Sequence, residues 1–159
     1  MPFRYIIILY DNERGCTLLA KYLTHGKSET VALGERLAKT LVPSSLVLFT
    51  GGLGAGKTAF CEGIAKGLGC IDEVSSPTFA IVNAYRGAQT FAHFDLYRIY
   101  TLEGLESAGF YDYLDEGAVV AAEWSENVAD ILAGEAAVRV DIKSLGGDER
   151  EITISGGEL

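Results

Sequence analysis

Several residues in this chain have the types and spacing for chemistry on a phosphate. The first group is Gly51-Gly52-Leu53-Gly54-Ala55-Gly56-Lys57-Thr58. It fits the order glycine, four residues, glycine, lysine, then serine or threonine. Glycines let a backbone take positive φ and turn its N–H groups inward around an anion. A helix that starts at the loop adds free N–H groups and the positive end of its dipole. Lys57 supplies a point charge able to reach β- and γ-phosphates, and the Thr58 hydroxyl can ligate Mg²⁺. The competing explanation is a chance match in a chain with 19 glycines. The strand before the loop and the helix after it argue against chance.

A phosphate loop alone binds. Hydrolysis or transfer also needs an acid near Mg²⁺ and a group that positions the attacking atom. Asp95 follows Phe91-Ala92-His93-Phe94, and Glu123 follows Val119-Val120-Ala121-Ala122. Both acids are expected at the carboxyl edge of a sheet, where ligands of open α/β folds bind. The alternative for each is a solvated carboxylate just past a strand. Thr78 follows Pro77 in the loop after the phosphate-loop helix. It reads either as a switch residue that brings a hydroxyl to Mg²⁺ or the γ-phosphate, or as an ordinary hydroxyl turn. Trp124, the only tryptophan, is either a core anchor or an aromatic wall beside a nucleotide. His93 shares a strand face with Asp95 and reads as structural. Arg98 and Arg150 either meet phosphate or base, or form surface ion pairs.

The elements that must position these residues can be read from the pattern. Residues 46–50 (LVLFT) form an apolar run that enters the loop as a buried strand. Residues 59–68 follow as a helix with Phe60, Ile64 and Leu68 on one face, ended by Gly67 and Gly69. Upstream, residues 3–10 and 16–24 suit strands, the first of them an edge strand. Ser28, Glu29 and Thr30 offer a cap for a helix running to Leu41, with Leu33, Leu37 and Ala38 on its apolar face. Downstream, residues 79–86 and 90–94 suggest a hairpin around Gly87-Ala88. Residues 101–108 and 111–116 suit short helices, and 118–122 a strongly apolar strand. Ser125 suits the cap of a helix over 126–132. Two final strands, 136–142 and 151–154, flank a Gly146-Gly147-Asp148 turn. The expected class is a single α/β domain over 15–159, with a parallel centre and antiparallel edge strands flanked by helices. Residues 1–14 are set apart as an amino-terminal extension.

Composition narrows the function classes. With 48% hydrophobic residues in 159, the chain can bury a real core. A net charge of −9 argues against a general nucleic-acid binder, which shows a basic face. Local positive charge for an anionic nucleotide then falls to Lys57, the loop amides and Mg²⁺. The apolar run near the start is too short for a membrane span and lacks a cleavage site. Cys16, Cys61 and Cys70 are odd in number and lack CxxC spacing, as suits reduced thiols in a cytoplasmic protein.

Four motifs in this order resemble one family: the loop 51–58, Ser76-Pro77-Thr78-Phe79, His93-Phe94-Asp95-Leu96-Tyr97-Arg98, and Glu123-Trp124. Together they are similar to TsaE, also called YjeE, over about residues 22–155. The resemblance implies a slow Mg²⁺-dependent ATPase that binds ATP and ADP. It implies TsaB and TsaD as partners in making threonylcarbamoyladenosine at position 37 of tRNA, with tRNA held by those partners. Hydrolysis in that scheme resets the complex between rounds. On the same resemblance, Thr58 and Glu123 serve Mg²⁺, and Asp95 supports metal and water. Thr78 lies in a switch-like loop, Trp124 and Arg150 lie near the nucleotide, and the turn at 27–30 borders the base. One departure is Gly52, where the family usually has Asp; it leaves the Lys57 and Thr58 chemistry intact. Two other readings stay open. One is a small-molecule or nucleotide kinase, although the chain has only 13 lysines and arginines and no arginine cluster after the switch loop. The other is a nucleotide-dependent interaction switch with negligible turnover.

Overall fold

The computed structural model describes residues 5–12 and 15–157. Its elements run β1 (Tyr5–Asn12), β2 (Gly15–Thr24), α1 (Lys27–Ala38), β3 (Leu46–Thr50), α2 (Lys57–Gly67), β4 (Val82–Tyr85) and β5 (Phe91–Asp95). They continue with α3 (Leu102–Ser107), α4 (Phe110–Asp115), β6 (Val119–Glu123), a 3-10 turn (Ser125–Val128), β7 (Val138–Gly146) and β8 (Glu149–Ser155). The strands form one eight-stranded sheet in the order β1-β2-β8-β7-β3-β6-β5-β4. Strands β7, β3, β6 and β5 are mutually parallel, and every other pairing is antiparallel. The expected α/β class, with a parallel centre and antiparallel edges, is what the chain adopts. Within the amino-terminal 14 residues, Tyr5–Asn12 pairs with β2 at the sheet edge. Residues 1–4 and 13–14 lie outside the described residues.

The central strands are apolar without alternation because both faces are covered. Val47 and Phe49 of β3 face α1 and α2, in a core with Leu33, Leu37, Phe60 and Ile64. Leu46 and Leu48 face the other way, toward Phe94, Leu105, Phe110 and Leu132. Strand β6 splits the same way, with Val119 and Ala121 on one side and Val120 and Ala122 on the other. Parallel neighbours end on one edge, so β3, β6 and β5 deliver the phosphate loop, Glu123 and Asp95 side by side.

Helices α1 and α2 pack unusually close. A Cβ on Gly63 would stand 2.0 Å from the Val31 carbonyl oxygen, and one on Gly34 would stand 2.3 Å from that of Phe60. Only glycine allows such backbone approach.

Several boundaries differ from the sequence expectation. Helix α1 begins at Lys27 on Gly26 with no side-chain cap, so Ser28 lies inside it. The His25 N–H instead donates to Glu29 Oε2 at 2.9 Å. The helix ends at Ala38 and tightens into a turn through Leu41, whose N–H donates to the Ala38 carbonyl. Helix α2 starts at Lys57, earlier than expected, so Lys57 and Thr58 form its first turn. The strand expected over 79–86 shrinks to Val82–Tyr85. Pro77 accepts from the N–H groups of Ala80 and Ile81, and Ile81 takes φ 68°, which breaks extended geometry. The helix expected over 126–132 is a single 3-10 turn. Ser125 does not cap it; its Oγ donates instead to the Phe49 carbonyl at 3.0 Å. Among the described residues, no helix is long and apolar enough to cross a membrane.

Candidate functional site

The loop after β3 has the backbone its glycines permit. Gly51, Gly54 and Gly56 take φ of 138°, 72° and 115°. Gly51 is fixed twice over, because a Cβ there would meet the Ile142 carbonyl oxygen at 2.5 Å. Gly52 has open space around it, so nothing among the described residues sterically excludes a side chain at that position. Lys57 turns back over the loop, and its Nζ donates to the carbonyls of Gly51 at 2.6 Å and Gly52 at 2.9 Å. The same ammonium lies 4.7 Å from the Trp124 ring centroid. A cation between loop carbonyls and a ring face is stabilised by both.

The loop forms one wall of a cleft of about 750 Å³, lined from Leu53 to Thr58. Asp95, Glu123, Tyr97 and Trp124 line the second wall, with Ser76 and Thr78 at the rim. Asp95 and Glu123 are direct partners in the β5–β6 register. Each acid is held by one oxygen. Asp95 Oδ1 accepts from the Tyr97 N–H at 2.9 Å, and Glu123 Oε1 pairs with His93 Nε2 at 2.8 Å. Both carboxylates are largely buried.

Trp124 sits at a sharp corner with φ 58°, a conformation that costs a bulky residue energy. The corner is fixed by Ser125 on β3, by Asn127 Nδ2 donating to the carbonyls of Leu96 and Tyr97, and by the Leu96 N–H donating to the Glu123 carbonyl. Tyr97 packs edge-on against the indole at 5.1 Å. Across the cleft, Thr78 Oγ1 lies 2.9 Å from Ser76 Oγ, and Arg98 donates to the Thr78 carbonyl at 3.0 Å. Arg98 therefore tethers the loop that carries Thr78.

Thus Lys57, Thr58, Thr78, Asp95, Glu123 and Trp124 meet at one cleft together with Leu53, Gly54, Ala55 and Gly56. Gly51 and Arg150 lie outside its lining. Arg150 instead braces the loop from behind, donating from Nε to the Ala55 carbonyl at 2.8 Å and from Nη1 to the Gly147 carbonyl at 2.7 Å. Of the 27–30 turn, Lys27 points away to an ion pair with Glu62 at 2.8 Å. Thr30 lies beside Gly56. Sequence reasoning missed Ser76 and Tyr97 as lining residues and Asn127 as a brace. It also took Arg98 for a phosphate ligand or a surface ion pair, whereas Arg98 binds backbone.

Beneath the acids lies Cys61, one helical turn beyond Lys57 and fully buried. Its burial first, and the nearby Glu123 charge second, push the thiol pKa well above its ordinary value. Ligand atoms of Cys61, His93 and Glu123 lie within 4.8 Å of one another.

A strand, a glycine loop and a helix at the carboxyl edge of a parallel sheet centre, with acids on the two neighbouring strands, define a phosphate-loop α/β protein. A family profile described as "Threonylcarbamoyl adenosine biosynthesis protein TsaE" matches residues 24–152. The chain belongs to the TsaE family. It is 35% identical over 133 residues to the tRNA threonylcarbamoyladenosine biosynthesis protein TsaE of Treponema pallidum, covering 84% of this chain and 98% of that protein. The Bacillus subtilis protein of the same name is 36% identical over 136 residues, covering 85% of this chain and 84% of that one. The crystal structure of YdiB from the same species superposes with a TM-score of 0.72 at 31% identity, covering 87% of this chain and 86% of that one.

Proposed function

We propose that this chain is a Mg²⁺-dependent ATPase that acts with TsaB and TsaD in threonylcarbamoyladenosine modification of tRNA, in the cytoplasm, and that hydrolysis resets their complex. The observation that carries the reading is the convergence of Lys57, Thr58, Asp95 and Glu123 on one cleft beside a glycine loop. A hydroxyl and two carboxylates form an all-oxygen donor set, which suits Mg²⁺. Thr58 and Glu123 would hold the ion, with Asp95 in support. When bound, Mg²⁺ neutralises charge that develops on the phosphate oxygens.

The chain's own groups do the rest. Gly54, Ala55 and Gly56 offer N–H groups at the start of α2 to the phosphates. Lys57 exchanges its loop carbonyls for γ-phosphate oxygens and stabilises the transition state by charge. Glu123 or Asp95 orients water for attack on the γ-phosphorus; the phosphoryl group passes to water and ADP leaves. Trp124 walls the site, and the loop tethered by Arg98 presents the Thr78 hydroxyl to the phosphates. Lys57 is the one cationic side chain in the cleft lining among the described residues, which favours hydrolysis over phosphoryl transfer to a bound acceptor. The excess of negative charge leaves tRNA to the partners.

The test is multiple-turnover modification of tRNA by TsaB and TsaD, with and without this protein. Stimulation is expected, and Glu123→Ala should lower ATP hydrolysis by about 10²- to 10⁴-fold while nucleotide affinity changes little. No stimulation in a matched system, or equal loss of binding and hydrolysis, contradicts the reading.

A further inference from the structure

We propose that His93 is a positioning residue for Glu123: its imidazole fixes the carboxylate by holding Oε1, so that Oε2 is presented to the cleft. The inference rests on the proposed role of Glu123. It starts from the sheet. Strands β5 and β6 are parallel, with His93 opposite Ala121 and Asp95 opposite Glu123. His93 and Glu123 are therefore diagonal neighbours on one sheet face, the face covered by α2. His93 is fully buried, and its Nε2 lies 2.8 Å from Glu123 Oε1.

Among the described residues the ring makes no other hydrogen bond: Nδ1 is buried without a partner. A carboxylate oxygen accepts, so holding Oε1 needs an N–H on Nε2. Nδ1 pairs with none of the described residues, and a buried polar atom without a partner costs stability. A residue needed only to fill this space would do better as an apolar ring, since Phe91 already stacks on His93 at 6.2 Å. What the imidazole adds over such a ring is the single bond to Glu123. Cys61 closes the pocket below the pair, within 4.8 Å of both. Partners of metal-site carboxylates and histidines act in this way on other proteins, by holding a ligand in its working rotamer.

The test compares His93→Gln, which keeps an amide N–H within reach of Oε1, with His93→Phe, which keeps the shape and loses the donor. Steady-state ATP hydrolysis is measured for both, with thermal unfolding as the check on folding. In the intact protein, His93→Phe should lower kcat by about 10- to 100-fold with KM for ATP nearly unchanged. His93→Gln should recover most of that loss. Combined with Glu123→Ala, His93→Phe should add no further loss, because it acts through the removed carboxylate. An unchanged kcat in folded His93→Phe, the same loss with or without Glu123, or no recovery by folded His93→Gln each overturns the proposal. NMR of the unsubstituted protein gives a readout independent of turnover. A His93 Nε2–H resonance should be shifted downfield and protected from exchange, and should lose both properties in Glu123→Ala. Its absence overturns the positioning role even if hydrolysis is found. If the unsubstituted protein hydrolyses no ATP while that resonance is present, the proposed activity fails and the hydrogen-bonded pair stands.

Discussion

Replacing Gly63 with alanine should destabilise the protein through the packing of α1 on α2. A Cβ at this position would lie 2.0 Å from the Val31 carbonyl oxygen and 2.9 Å from the Glu35 nitrogen. Both obstacles are backbone, so relief requires the helices to part by about 1 Å, which forfeits about a quarter to a half of the dispersion energy across the contact. The apolar groups at stake include Leu33 and Leu37 of α1 and Phe60 and Ile64 of α2, all fully buried. At about 1.5–3 kcal/mol each, the four represent about 6–12 kcal/mol. A quarter of that is about 1.5–3 kcal/mol. Alanine's better helix propensity returns up to about 1 kcal/mol. With that return the net cost is about 0.5–2 kcal/mol, or about 1–8 °C in Tm for a chain of this size. Thermal and urea unfolding of Gly63→Ala against Gly134→Ala, a position with open space around it, measures this. A Gly63→Ala protein as stable as the Gly134→Ala control would refute the close-packing argument.

Arg150→Ala should lower stability by about 1–2 kcal/mol, since a charged donor to a half-buried carbonyl is lost. It should also weaken nucleotide binding through a looser Ala55 backbone more than it slows turnover; calorimetry and steady-state kinetics separate the two, and unchanged affinity contradicts the bracing role. Cys61 should resist thiol reagents until the protein unfolds, because the reactive species is the thiolate and burial disfavours it. Its raised pKa also gives a sign: above the ordinary thiol value of about 9, the unfolded chain releases a proton that the folded state keeps. Stability then falls as pH rises, by about 1.4 kcal/mol per unit from this group. Denaturant titrations at pH 8 to 10 should show a steeper fall than in Cys61→Ala, and equal slopes would contradict it.

Much of this arrangement is legible in the chain because it is local. The run at 46–50, the glycine loop and the apolar face through Phe60 and Ile64 each carry their own signal. The strand end at Glu123 follows from an unbroken apolar run that stops at a charge, and that at Asp95 from a run broken only by His93. What stayed hidden depends on distant partners. His93 and Glu123 become neighbours only once β5 and β6 are known to pair in parallel at one register. Arg150 reaches the Ala55 carbonyl across the chain, from a strand that pairs with β7. The 79–86 run has strand composition, but Pro77 and the positive φ of Ile81 turn residues 79–81 into a loop and leave only Val82–Tyr85 as strand. The close approach at Gly34 and Gly63 likewise shows only once α1 and α2 are packed together.

The central claim is that this cleft binds a Mg-nucleotide through Lys57. Calorimetric titration of MgATP into the unsubstituted protein and into Lys57→Ala tests it, with Trp124 fluorescence as a second reading from 4.7 Å away. The account predicts binding with a fluorescence change in the first, and a loss of at least about 100-fold, about 2.7 kcal/mol, in the second. Equal affinity in the two proteins would contradict it.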